Sequence, residues 1–377
     1  MTEVWDAAVV GAGPGGSAAA TVLARAGRRV LLLEKDRFPR AKVCGEFLSS
    51  DALPSLEELG VREAVEGHRP ERIDRGRVHP PRGPFVSFRL PAPALGISRL
   101  VFDHLLAAHA RATGADLRFD TRVVSVAPAP PDAFRVCFLE AQREREVRAR
   151  AVVGGWGRWD ALDRSLARGF ARRRGRYFGW SRDCGGDTSF LSGEVRLYLF
   201  PGGYCGLSRV EGETANLAGI ISEARRRRLS PGWEAVCDHA RAFNPALDAD
   251  LSRVKPGPTD TLGTGPVFFT RKPAVEDGIL MVGDAAGVID PFSGEGQAAA
   301  LASGILAGKT VERRLSGEIP AARLARAYQD AWNRRFARRF RWSSVLRLLM
   351  LHPTLGEFAG RLAGKALVRF GMAATRE

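Results

Sequence analysis

The stretch VWDAAVVGAGPGGSAAATVLARAG, residues 4–27, decides how this chain is read. Its first seven residues are a short apolar run, the next six a glycine turn, and the rest an Ala-rich segment that stops at Gly27. A strand, a glycine turn and a helix form the context in which Gly-x-Gly-x-x-Gly carries meaning. Gly11 permits the tight turn, Gly13 lets the backbone approach a pyrophosphate, and Gly16 allows close packing of helix on strand; the helix start adds free N–H groups and a positive dipole. The following strand, RRVLLLEK, ends in Glu34 and Lys35. Glu34 stands about where an acid that bonds an adenosine ribose is expected. These features predict a dinucleotide-binding unit.

A second deciding segment is DGILMVGDAAGVIDPFSGEGQAAALASGILAG, residues 277–308: a buried strand, an Asp at its carboxyl end, a Gly/Pro-rich loop and a small-residue helix. Here the chain resembles the FAD-dependent oxidoreductases of the p-hydroxybenzoate hydroxylase fold, particularly the geranylgeranyl reductase-like branch, which is related to flavin monooxygenases and flavin halogenases. The resemblance implies FAD, with Gly283 and Asp284 at its ribityl chain and nearby phosphate. The chemistry agrees, because a carboxylate accepts sugar hydroxyls and a helix start after Gly294 and Gly296 suits the carbonyl edge of a reduced flavin.

Two further segments carry the same resemblance, which spans roughly residues 4–310. FPRAKVCGEFLS, residues 38–49, resembles the family segment that passes beside the flavin ring, and GISRLVFDHLLAAHARATGA, residues 96–115, resembles its Arg-x-x-x-Asp helix. By that resemblance Arg99 contacts the adenosine or pyrophosphate region, and Arg40 or Lys42 neutralises phosphate. The Lys-x-Cys-Gly motif makes Cys44 the one catalytic candidate, its thiol expected to be lowered by neighbouring cations and able to donate a proton or form a transient adduct. Glu46 is expected to support it. His79, His104, His109 and His239 lack metal-ligand spacing, so no metal site is expected.

The pattern also breaks. Where many relatives carry a strand-end Gly-Ala-Asp-Gly serving FAD and the nicotinamide donor, RARAVVGGWGRWDALDR (148–164) carries Gly155 and Trp156. An indole is a donor with a flat apolar face and cannot replace an acid. NAD(P)H is therefore a doubtful electron donor. Residues 193–221 read as a meander (EVRLYLF, PGG, YCGLSRV, EGET, NLAGII) with Val195, Leu197 and Leu199 on one side. After Tyr204 the large apolar residues of the reductases' Tyr-x-Trp-x-Phe-Pro signature are absent. No Lys occurs between Val43 and Val254, which argues against halogenase chemistry.

Composition bounds the remainder. The 377 residues carry a formal charge of +15 from 57 basic and 42 acidic side chains, and only six of the 57 are Lys. Residues 321–377 hold much of the excess, but no recognition motif accompanies it, and nucleic acid is not expected as a partner. Five widely spaced Cys and the lack of a long uncharged apolar run indicate a cytoplasmic protein without a disulfide framework. The expected fold is α/β (α+β in the substrate part): a discontinuous Rossmann-like FAD-binding domain (1–75, 96–165, 255–320), an antiparallel-sheet substrate domain (76–95, 166–254), and C-terminal helices, 321–377, as a basic cap over the substrate opening. The leading function is an FAD-dependent oxidoreductase that reduces or dehydrogenates a hydrophobic or carrier-bound small molecule. The alternatives are a monooxygenase acting on an aromatic or polyketide-like ring and a non-catalytic flavin-binding protein. The cationic tail is expected to meet an acidic carrier or, peripherally, a membrane.

Overall fold

In the computed structural model, which describes residues 4–172, 177–258 and 260–351, the strands form two sheets. The first is centred on β1 (Val4–Val10), which runs parallel to β2 (Val30–Leu33) on one side and to the end of β9 (Arg143–Gly154) on the other. Ala7, Ala8 and Val9 are fully buried, as a strand covered on both faces requires. The sheet continues through β6 (Asp116–Arg118) beyond β2, and through β17 (Ile279–Met281) and β16 (Val275–Glu276) beyond β9. An antiparallel meander, β7 (Thr121–Ala129) and β8 (Ala133–Glu140), joins the first half of β9.

Helix α1 (Pro14–Arg25) follows the glycine turn and packs on α9 (Gly296–Leu315) and α4 (Arg99–Ala112). Small residues bring these helices close. A Cβ on Gly16 would come 1.8 Å from the Gly11 carbonyl oxygen, and one on Gly304 2.1 Å from that of Gly15. Helices α2 (Leu53–Leu59) and α3 (Arg62–Gly67) extend the core formed with α4 and α9.

The second sheet runs β14 (Val254–Pro256), β10 (Tyr177–Gly186), β13 (Ala215–Ser222), β12 (Gly203–Arg209), β11 (Glu194–Phe200), β4 (Glu71–His79), β5 (Val86–Gly96), β3 (Phe47–Leu48), with β15 (Leu262–Val267) also on β10. Among the described residues of this sheet only β11 and β4 pair in parallel. The expected meander is present, with Phe200 opposite Gly203 and Arg209 opposite Ala215. Tyr198, Phe200 and Leu207 on one face meet α7 (Glu234–Phe243) and α8 (Pro245–Leu251), while Val195, Leu197 and Leu199 lie part-buried near Phe47 and Phe292 on the other. Short helices α5 (Leu162–Ser165) and α6 (Glu223–Arg226) complete the connections. The sheets divide the chain differently from the sequence expectation: Glu71–Arg75, β14 and β15 belong to the second sheet, because β4 continues unbroken across residue 75 and β10 has two further partners.

The tail also differs from expectation. Helix α10 (Ala321–Leu351) turns Tyr328, Trp332 and Phe336 into the first sheet's core, and the Tyr328 hydroxyl donates to the Met281 carbonyl at 2.7 Å. None of its described side chains lines the substrate-side chamber delineated below, so this part of the tail is a buttress behind β17 rather than a cap. Residues 352–377 and the Leu346 side chain lie outside the described residues. No helix among the described residues is long and apolar enough to cross a membrane.

Candidate functional site

The carboxyl ends of β1, β2, β9 and β17 open into two confluent clefts, where α/β sheets place ligands. Gly11, Gly13, Glu34, Lys35 and Arg40 line the first; Gly13, Cys44, Arg99, Gly283, Asp284, Gly294 and Gly296 line the second, here called the chamber. Lys42, Gly155, Arg158 and Gly13 border both, so the clefts are continuous. Of the cofactor-binding and catalytic candidates named in the sequence, only Gly16 is away from the walls, where it sets the turn.

In the first cleft Glu34 is buried and accepts N–H bonds from Ala12 at 2.7 Å and Asp36 at 3.1 Å, which fixes the glycine turn against β2. Lys35 pairs with Asp160 at 3.1 Å. Arg40 lies over the Phe38 ring and bridges Asp36 (3.2 Å) and Asp103 (3.0 Å), so it is an organised cation rather than a solvated one. Lys42 stands among Arg40, Arg99 and Arg158, and burial together with these charges pushes its ammonium down to about 8. Gly11 has φ +97°, and Gly13 leaves open space where a Cβ would project. A cationic, backbone-lined cradle of this kind suits a diphosphate.

Around the chamber Asp284 faces Arg158 at 3.6 Å. Beneath it the buried Lys272 donates to the carbonyls of Asp284 and Arg158, both at 2.8 Å, and burial pushes its ammonium down to about 8. Gly283 donates its N–H to Ser303 Oγ at 2.9 Å. Gly294 has φ +67°, with the Phe47 ring 2.6 Å from where a Cβ would stand, whereas Gly296 opens α9 with nothing within 4 Å. The helix start therefore faces free space. Phe47, Ile220, Val267, Phe269 and Ile289 form an apolar wall. Tyr204 is tied into the same loop, its hydroxyl 3.0 Å from Asp290 and its ring edge-on to Phe292.

Cys44 receives N–H bonds from Glu46 (3.3 Å) and Gln297 (3.6 Å), and its carbonyl accepts from Asn216 at 2.8 Å. Burial pushes its thiol up, with Arg99 only partly opposing. This corrects the expectation of a thiol lowered by cations: desolvation outweighs charge here. Arg99 itself makes two 2.6 Å bonds to Asp103, whose carboxylate keeps the guanidinium raised against burial. It borders the chamber beside Cys44 and not the first cleft, where its adenosine or pyrophosphate role was expected. Glu46, at φ +54°, accepts the Arg99 N–H at 2.9 Å, and burial with Asp183 and Glu211 pushes its carboxyl up to about 8.

Trp156 is buried, and its indole N–H donates to Asp163 at 3.1 Å. Asp163 also takes the Arg168 guanidinium at 3.1 Å, and Arg168 donates onward to the carbonyls of Ala285 (3.0 Å) and Pro273 (2.9 Å). The acid missing from the strand end thus has a buried counterpart seven residues on, engaged in tying that strand end to the Asp284 loop. Arg158, Lys272 and this pair were not found from the sequence, since no local motif marks them.

The clefts enclose about 950 and 1090 Å³ including their open mouths. The family described as FAD binding domain matches residues 4–180. A digeranylgeranylglycerophospholipid reductase of Methanopyrus kandleri is 30% identical over 90% of this chain and 85% of its own length. A protein of Dictyostelium discoideum named conditioned medium factor receptor 1 is 28% identical over 98% of this chain and 75% of its own. The solved structure of a geranylgeranyl bacteriochlorophyll reductase-like protein from Thermoplasma acidophilum superposes with a TM-score of 0.80 at 21% identity, covering 100% of this chain and 97% of that one. A glycine turn at residues 11–16, a Gly-Asp loop at 283–284 and a relative at 30% identity along nearly the whole chain agree, and the chain belongs to the geranylgeranyl reductase family of FAD-dependent oxidoreductases.

Proposed function

We propose that FAD lies along both clefts, its ADP part in the first and its flavin in the chamber, and that the enzyme reduces carbon–carbon double bonds of an isoprenoid lipid. Glu34 would hold the ribose, the 11–16 turn with Arg40, Lys42 and Arg158 the diphosphate, Asp284 the ribityl chain, and the start of α9 after Gly294 and Gly296 the flavin's carbonyl edge. Lys35 completes the ADP side. Bound flavin supplies two-electron chemistry; the protein binds, orients and excludes water. In this reading the first sheet with its helices is the FAD-binding part, and the second sheet the substrate part.

The observation that carries the substrate reading is the joining of an apolar wall (Phe47, Ile220, Val267, Phe269) to a thiol that burial keeps protonated. A hydrocarbon chain needs the first, and its saturation needs a proton. The curated Methanopyrus kandleri relative is named for a lipid of this kind. Exposed arginines of α10, among them Arg334 and Arg341, would rest on an anionic membrane surface from which such a lipid enters, each adding at most about 1 kcal/mol.

The test is anaerobic. FAD-loaded protein is reduced with dithionite, excess reductant is removed, and a geranylgeranyl-bearing phospholipid is added in micelles. Reoxidation of the flavin with a product heavier by two hydrogens per double bond is expected. A flavin that stays reduced with prenyl lipids, yet is oxidised by oxygen faster when an aromatic compound is present, would replace this reading by the monooxygenase one.

A further inference from the structure

Saturating a carbon–carbon double bond takes a hydride and a proton, so the proposed function, on which this inference rests, requires an acid that can be recharged between turnovers. The titratable groups lining the chamber among the described residues are Lys42, Cys44, Glu46, Arg99, Arg158 and Asp284. Arginines do not release protons, Asp284 faces Arg158, and Lys42 stands at the diphosphate end among three arginines. Cys44 and Glu46 remain.

Glu46 is built unlike a surface carboxylate. One oxygen accepts the Arg99 N–H at 2.9 Å; the other is closed to solvent and has no hydrogen-bond partner among the described residues. An ionised group with a bare buried oxygen is costly, a neutral one much less so. The nearest cation, Arg99, is held by Asp103 through two 2.6 Å bonds. The other groups facing Glu46 are Asp183 from β10 and Glu211 from the turn before β13, both acids that raise its affinity for a proton, and Cys44 on its own loop. Burial and these charges push the carboxyl up to about 8. Capping α4 does not require a carboxylate, since Ser98 Oγ already accepts the Val101 N–H and an amide oxygen would serve the Arg99 N–H equally. The backbone is nonetheless held at φ +54°, a conformation that non-glycine residues adopt only where the surroundings impose it.

We propose that Glu46 is the proton store of the chamber, a neutral carboxylic acid that recharges Cys44 after each reduction. With hydride supplied by flavin that an external two-electron donor has reduced, the π bond breaks and two C–H bonds form, the second with the proton of the Cys44 S–H. The Glu46 O–H bond then breaks, the thiolate regains its proton, and the stranded carboxylate takes one from water once product has left. Glu46 acts through Cys44, two residues away on the same chamber wall, whose sulfur accepts the Glu46 backbone N–H at 3.3 Å, and is a positioning residue in this sense.

Difference infrared spectroscopy of FAD-loaded protein with ¹³C-labelled Glu should show a protonated carboxyl band at neutral pH that disappears with a midpoint near pH 8, and Glu46→Gln should lack it. With dithionite as continuous donor and a geranylgeranyl-bearing phospholipid, Glu46→Gln should lose roughly 10²-fold in steady-state turnover together with its pH dependence, while FAD content and the first turnover of prereduced protein stay near wild type. An ionised Glu46 at neutral pH, or a variant that sustains wild-type turnover with the same pH profile, overturns the proposal. If that variant does not fold, Glu46→Asp takes its place in both measurements and should shift the band and its midpoint. If neither protein transfers electrons to prenyl lipids, the substrate reading fails and the relay with it, although a band titrating near pH 8 would still mark Glu46 as a stored proton.

Discussion

The first cleft and the chamber share a border at Lys42 and Arg158 and are built on opposite plans. Half of the first cleft's lining comes from one β–α–β unit, residues 10–13 and 33–42, with the rest from 121–123, 155–162 and Thr264, and its polar contacts are backbone and fixed charge. Chamber walls come from 42–47, Arg99, Ile220, 267–269 and 282–300, and their chemistry is set by burial. A local motif specifies the first, and tertiary packing the second. Substitutions in the glycine turn should therefore act by steric conflict, and those at buried titratable groups by altered protonation.

The largest effect should come where the two regions are tied. Arg168 is fully buried and links Asp163, hence Trp156, to the carbonyl of Ala285. Arg168→Met leaves Asp163 buried without its cation, and a loss of about 3–5 kcal/mol is expected in chemical denaturation. A much smaller loss would mean that the strand end and the Asp284 loop are held independently.

A steric contrast follows within the glycine turn. Gly16→Ala places a Cβ 1.8 Å from the Gly11 carbonyl in a packed core and should cost about 1–3 kcal/mol or more of stability. Gly13→Ala meets nothing within 4 Å, so stability should stay within about 0.5 kcal/mol while FAD content falls. Melting curves and flavin absorbance measure both. Equal destabilisation by the two would show that Gly13 serves folding rather than the cofactor.

Asp284→Ala sharpens the same contrast from the chamber side. Hydrogen bonds to a charged group contribute about 1.5–3 kcal/mol, so FAD should bind roughly 10- to 150-fold more weakly by titration of apoprotein. Undiminished affinity would remove Asp284 from the flavin's partners. Trp156, with its acid partner engaged elsewhere, should leave reduction by free NADPH slow without substrate, and rapid saturable reduction would contradict that.

Much of the lining of the two clefts was legible where its constraints are local. Gly11, Gly13 and Glu34 came from strand and turn context and the Gly283–Asp284 pair from the family resemblance; all of them line the clefts, and the 193–221 meander has the expected pairing. Arg158 and Lys272 were not legible: Lys272 meets the Arg158 carbonyl across 114 residues, a contact that no spacing rule encodes. The sign of the Cys44 shift was missed because a sequence displays charges and conceals desolvation. In the tail, spacings of four put Trp332, Phe336 and Phe340 on one face, but only the fold reveals that this face covers the back of the Asp284 loop.

Protonation separates the regions again. Lys42 carries a depressed ammonium of about 8 in the free protein, and a diphosphate beside it favours the charged form. FAD binding should therefore raise that value, take up a proton above pH 8, and weaken as pH climbs further. Lys272 falls in the same window at about 8, so Lys42→Met is needed to separate them: it should flatten most of the affinity profile while leaving the part due to Lys272. An affinity independent of pH in wild type would place Lys42 outside the diphosphate contacts.

The smallest effect is expected at the tail, which supports the chamber from behind and faces solvent with its arginines. Arg339 is unsuitable for the test because it pairs with Asp51 at 3.7 Å, and reversing it would disturb the fold as well as the surface. Arg334 and Arg341 are exposed, while Trp332 and Phe336 of the same helix are buried, so Arg334→Glu with Arg341→Glu should change stability by no more than about 0.5 kcal/mol and leave FAD content intact. Binding to vesicles rich in anionic lipid should weaken by at most about 1 kcal/mol per arginine. Salt should weaken the wild type toward the variant, since screening shortens from about 10 Å at 0.1 M to about 3 Å at 1 M. Binding that is equal for neutral and anionic vesicles, and indifferent to salt, would mean that α10 serves only as the buttress of the Asp284 loop.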